Sequence, residues 1–155
     1  MNIGIIIYSQ TGNTNSVALK LQEKLYAAGH SVDIEQIEIS GELGPRATNF
    51  QLKTKPDVDK YDALVFGAPV QAFSLSPAMK SYLTRMTSLK GKKVACFVTK
   101  QLSFSWTGGN QAINKMEKIC KSNDGEVCGS GMVTWSSKRR DQKITEVIDR
   151  LSRLF

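Results

Sequence analysis

The chain is predicted to be an α/β protein, a doubly wound sheet of five parallel strands with helices on both faces. Three observations predict it. Apolar runs of strand length alternate with stretches of helical periodicity along the whole sequence. Two of those runs, Ile3 to Tyr8 and Ala63 to Ala68, are continuous, as expected of strands buried on both faces. The first run breaks directly into Ser9-Gln10-Thr11-Gly12-Asn13-Thr14 and then into a helical pattern.

Taken in order, a strand over 2–8 leads to a helix from about Asn13 to Ala28, with Val17, Leu21, Leu25 and Ala28 on one face and Gly29 ending it. His30 follows as a surface turn residue. The next strand, Ser31 to Ile37, alternates at Val32, Ile34 and Ile37, which suits an outer strand with one exposed face. Residues 40–60 hold Gly41, Gly44, Pro45 and Pro56 among few apolar residues, so a long connection with a short helix is expected there. Ala63 to Ala68 should be a central strand beside the first, ended by Pro69. A helix from about Ser76, with Pro77 in its first turn, turns Met79, Tyr82, Leu83 and Met86 inward. The strand Val94 to Thr99, a helix from about Gly109 to Lys121, the strand Glu126 to Val133 and a helix from about Arg140 to Leu154 complete the alternation.

A length of 155 residues without internal repeats suits one domain. No basic segment precedes the first apolar run, and no stretch approaches the ~20 apolar residues of a membrane-spanning helix, so a soluble, cytoplasmic protein is expected. Cys96, Cys120 and Cys128 are odd in number and lack CxxC spacing, which favours buried reduced thiols over a disulfide or a metal site.

The loop after the first strand carries the chemistry. The first N–H groups of a helix have no partner within it, and the helix dipole adds partial positive charge there. Ser9, Thr11 and Thr14 add hydroxyls, and Gly12 allows a tight curl, so residues 9–14 suit a phosphate held by neutral donors. An ordinary capped strand-to-helix turn has the same composition. The Lys-Ser/Thr ending of a Walker A loop and the three glycines of a Rossmann fingerprint are absent, and the loop has no nucleophilic cysteine for a tyrosine phosphatase.

Three segments, YSQTGNT after the first strand, GAPVQAFSLSPAMKSYL around the third and TKQLSFSWTGGNQAINKM after the fourth, resemble flavodoxin and the flavodoxin-like FMN-binding proteins in order, spacing and character. The resemblance covers almost the whole chain and implies strand order 2-1-3-4-5. It implies that Ser9, Gln10, Thr11, Gly12, Asn13 and Thr14 bind the FMN phosphate, and that Pro69, Val70, Gln71, Ala72 and Phe73 wrap one side of the flavin. Thr99, Lys100, Gln101, Phe104 and Trp106, with Gly108 and Gly109, would wrap the other. Phe73, Phe104 and Trp106 are the aromatic faces available for stacking. The first wrapping loop has no Trp and the second no Tyr, unlike the usual electron carriers of the family.

Charge is the further departure. Residues 1–62 carry six Lys/Arg against eight Asp/Glu, and residues 63–155 carry fifteen against six, giving −2 and +9 and the total of +7. Familiar flavodoxins are acidic. A basic later half would suit an anionic partner or NADPH, and Lys100 beside a flavin would favour its anionic reduced form and raise the potential. No clustered basic face interleaved with aromatics marks a nucleic-acid binder. Three function classes follow: an electron-transfer flavoprotein serving a redox partner protein or small acceptor, an FMN-dependent NAD(P)H:quinone-type reductase, and a non-redox module binding a phosphorylated ligand. No side chain is assigned as a catalytic acid or base, because the flavin itself supplies the reactive centre.

Overall fold

The computed structural model describes residues 1–42, 44, 46–102 and 108–155. In chain order the elements are β1 (Asn2–Ile7), α1 (Asn13–Ala27), β2 (Ser31–Gln36), β3 (Ile39–Gly41), β4 (Phe50–Leu52), β5 (Ala63–Gln71) and β6 (Ser74–Leu75). Then come α2 (Pro77–Thr84), β7 (Lys93–Lys100), α3 (Gly109–Ser122), β8 (Glu126–Thr134) and α4 (Arg140–Ser152). The main sheet runs β2-β1-β5-β7-β8 with every one of these pairs parallel, which is the expected order once the short strands are set aside.

Alternation along the strands builds two apolar layers, one on each face of the sheet. Ile3, Ile5, Ile7, Val65, Ala95 and Phe97 pack with Val17, Leu21 and Leu25 of α1 and Ile144, Val147 and Leu151 of α4. Ile6, Leu64, Phe66, Cys96 and Val98 pack on the other face with Met79 and Leu83 of α2 and Ala112, Met116 and Cys120 of α3. Each layer lays one large ring over a glycine. A Cβ on Gly4 would fall 2.5 Å from the Tyr61 ring, and one on Gly67 would fall 2.2 Å from Cζ of Phe97.

Three expectations are corrected. Among its described residues the 40–60 connection holds no helix; β3 and β4 pair antiparallel there, Ile39 opposite Leu52. Pro69 does not end β5, which continues to Gln71. The carbonyl of Gly67 accepts the Tyr8 N–H at 3.0 Å, so Pro69, two residues on, faces the same side just where β1 has stopped. A proline without an N–H costs nothing at that place. Ala28 is exposed beyond the end of α1. Met86, two residues past α2, is half-buried and packs against the core as expected.

All three cysteines are free thiols, Cys96 and Cys120 buried and Cys128 half-buried. A hydrogen bond to the Cys120 thiol, followed by burial, raises the Cys96 thiol well above the ordinary range. Among the described residues no helix is long and apolar enough to cross a membrane.

Candidate functional site

Three loops meet at the carboxyl ends of β1, β5 and β7. This is where ligands bind in open α/β sheets of this winding. The first loop leaves β1 through buried Tyr8 and reaches Gly12, which opens α1 as its N-cap with φ +94°. That left-handed conformation is why glycine stands there. The Ser16 N–H bonds to the Gly12 carbonyl at 2.9 Å, and the Asn15 N–H bonds to Ser9 Oγ at 3.3 Å. The earlier N–H groups of Gly12, Asn13 and Thr14 have no acceptor within the helix. Gly12 has no side chain to cap them and the first turn carries no acid, so the positive end of α1 faces the loop.

Thr14 is buried, with its hydroxyl 3.0 Å from that of Thr99 at the end of β7. This contact ties α1 to the sheet beneath the loop. Gln71 Nε2 donates to Gln10 Oε1 at 2.8 Å, joining the first loop to the second. The second loop is the tight turn between β5 and β6, where Gln71 pairs with Ser74. Its two central residues, Ala72 and Phe73, have φ +49° and +62°. Both positions of such a turn need positive φ, which glycine or asparagine usually supplies. Two ordinary side chains held there store about 1–2 kcal/mol each. The Phe73 side chain, 51% exposed, stands at the tip.

The third loop starts at Lys100. The Trp135 N–H donates to its carbonyl at 2.7 Å and the Ser136 N–H donates to that of Gln101 at 3.1 Å, so the end of β8 fixes its departure. The Lys100 side chain is only 7% exposed. Its Cδ runs 3.3 Å from the place a Gly109 Cβ would occupy, along the start of α3. Between the loops lies a groove lined by Gln10, Thr11, Asn13, Pro69, Val70, Gln71, Thr99, Lys100 and Gln101. Past Val70, Lys100 and Gln101 it continues to Ala72, Phe73 and Leu102.

Most of the residues singled out from sequence are thus brought to one groove. Ser9 and Gly12 build its first loop without lining it, Thr14 turns inward, and Gly108 and Gly109 form the N-cap and first residue of α3. Phe104 and Trp106 lie outside the described residues. Leu102, 48% exposed and lining the same end of the groove as Phe73, lies inside the expected wrapping loop 99–106 but was not singled out there. An apolar residue directly after Lys100-Gln101, in a loop bordered by Gly108, was the available signal.

A parallel sheet in the order β2-β1-β5-β7-β8, with three loops converging at its carboxyl end, defines a flavodoxin-like α/β protein. The chain belongs to the Flavodoxin domain family, whose sequence model matches residues 5–124. Among curated proteins it is similar to Protoplast secreted protein 2 of Saccharomyces cerevisiae, 30% identical over 123 residues. That match covers 71% of this chain, and the chain spans 60% of the length of the yeast protein. Among solved structures, oxidised Flavodoxin 2 from Bacillus cereus superposes with TM-score 0.70 at 18% identity, each chain covered in full. The two-electron reduced flavodoxin of Megasphaera elsdenii gives TM-score 0.65 at 20% identity, over 96% of this chain and 98% of that one. These structural likenesses establish the fold.

Proposed function

We propose that this chain binds FMN non-covalently in the three-loop groove and transfers electrons through it, exchanging them with a redox partner protein or a small acceptor. The observation that carries the reading is the continuity of the groove, from the acid-free start of α1 to the slot between Phe73 and Leu102. The donor set fits the cofactor: helix N–H groups and the Thr11 hydroxyl for a phosphate, Gln10, Gln71 and Gln101 for a polyhydroxyl chain, and an aromatic and an aliphatic lip for a flat ring. When bound, FMN supplies the electron-accepting ring, and the protein contributes position and electrostatics. Phe73 and the tight turn of β5 and β6 would hold one side of that ring, and Lys100 would place a buried positive charge beside it. Cytoplasm is the proposed working place, where three free thiols stay reduced.

A second reading, an FMN-dependent NAD(P)H:quinone-type reductase, is favoured by the +9 charge of residues 63–155, which would attract a nicotinamide phosphate. The test of the first reading is the visible spectrum of the purified protein after addition of FMN and desalting. Retained flavin bands are expected, and a colourless protein overturns the reading and leaves a phosphate-ligand module. Rapid NADPH oxidation by the loaded protein with a quinone present would select the reductase; reduction only through a partner reductase would select the carrier.

A further inference from the structure

We infer that Gly108 is a positioning residue for the groove, acting as the backstop that holds the strained Ala72-Phe73 turn. The inference rests on the flavin reading of the groove for its consequence, though not for its geometry. A Cβ built on Gly108 would fall 2.1 Å from the carbonyl carbon and oxygen of Phe73 and 2.5 Å from its Cα. All three are backbone atoms, so no rotamer change relieves the contact. The start of α3 therefore lies directly against the tip of the turn. Gly108 itself has φ +94°, which already favours glycine, but conformation and contact are separable requirements here.

The contact explains how two non-glycine residues remain in left-handed conformation. Ala72 and Phe73 would relax if the tip were free to lift, and such strain persists only where surrounding structure over-determines it. Gln71 is tied to Gln10 on one side and paired with Ser74 on the other, while Gly108 blocks the tip itself. Any side chain at 108 pushes the turn away from α3 and moves Phe73, although Gly108 lines no part of the groove.

Gly29 provides the control. Its φ is +93° and a Cβ there meets nothing within 4 Å, so Gly29→Ala imposes the same backbone cost without a contact. Two quantities are to be compared among wild type, Gly108→Ala and Gly29→Ala: the FMN dissociation constant by fluorescence titration, and the amide exchange of Gln71 and Ser74 in FMN-free protein. Gly108→Ala is expected to weaken FMN by about tenfold or more and to speed both amides by a similar factor. Gly29→Ala should do neither. Wild-type values of both quantities in Gly108→Ala overturn the inference, and faster exchange with unchanged FMN affinity overturns the positioning role. A wild type that refuses FMN overturns the flavin reading alone, and the exchange comparison then decides whether Gly108 holds the turn. Should Gly108→Ala not accumulate in folded form, inserting one glycine after Ala72 frees the tip from the other side. The same two changes are expected, and their absence overturns the inference.

Discussion

On the proposed flavin reading, Lys100 is the groove residue placed to tune the potential of the bound ring. It closes β7, is 7% exposed, and lines both parts of the groove. A buried ammonium acts at an effective dielectric constant far below that of water, so it favours a negative charge nearby by several times its value at the surface. With FMN bound, Lys100→Met keeps the length of the side chain and removes the charge. The midpoint potential for two-electron reduction is expected to fall by at least about 30 mV, equivalent to about 1.4 kcal/mol. Spectroelectrochemical titration checks this, and an unchanged or raised potential would exclude the lysine as the tuning charge. Lys100 was legible in the sequence through the resemblance of the segment TKQLSFSWTGGNQAINKM, in which it opens the wrapping loop. The orientation of Thr14 was not. Its position in the helix start suggests an outward hydroxyl, and only the convergence of β7 on α1 gives that hydroxyl an inward partner in Thr99.

Between elements, one unequal pair stands out where β5 lies beside β7. Gly67 and Phe97 are register partners on adjacent parallel strands, and the Phe97 ring occupies the space a side chain at 67 would need. Gly67→Ala is expected to destabilise by about 1–3 kcal/mol through overpacking. Phe97→Leu should cost about 1–2 kcal/mol on its own through lost volume. Combined, the two should cost at least about 1 kcal/mol less than their sum, because the shorter side chain yields the space the methyl requires. Urea unfolding of the four proteins at constant m-value gives the coupling, and additivity within about 0.5 kcal/mol would show that the ring is not what requires glycine at 67. The same scale divides what sequence revealed from what it hid. β1, β5 and β7 are buried on both faces and read as continuous apolar runs. β3 and β4 are three residues each, too short for alternation to register, and β6 is only two. The turn before β6 is also silent, since Ala-Phe is not the pair from which a positive-φ turn is read.

Across the whole molecule, the face of the sheet that carries α2 and α3 also carries the groups that couple stability to pH. Tyr8, Tyr61 and Tyr82 all lie in that layer. Burial raises the Tyr8 phenol above its ordinary value of 10.0. Burial is also the main cause for Tyr61, raised further because its hydroxyl donates to Glu35 and lies near the charge of Asp33. Tyr82 is raised by burial and then by the charges of Glu35 and Asp57, and its hydroxyl donates to the Pro56 carbonyl at 2.5 Å. In each case the folded protein keeps a proton that the unfolded chain loses near pH 10. The stabilisation is complete below that pH and disappears as pH rises toward the higher folded values. Above about pH 10, Tyr61 and Tyr82, which are raised furthest, should each remove about 1.4 kcal/mol of stability per pH unit, and Tyr8 acts in the same direction. Lysine deprotonation acts in the opposite sense, because a chain of net charge +7 repels itself less as those charges are lost. A comparison with Tyr61→Phe cancels that common effect. The variant loses the hydroxyl's contacts with Glu35 and Asp33 and starts less stable at pH 8, yet its stability should fall by about 1.4 kcal/mol less per unit between pH 10 and 11.5. Urea midpoints measured along that range would return parallel curves for the two proteins if burial, with Glu35 and Asp33 beside it, did not hold the Tyr61 proton in place.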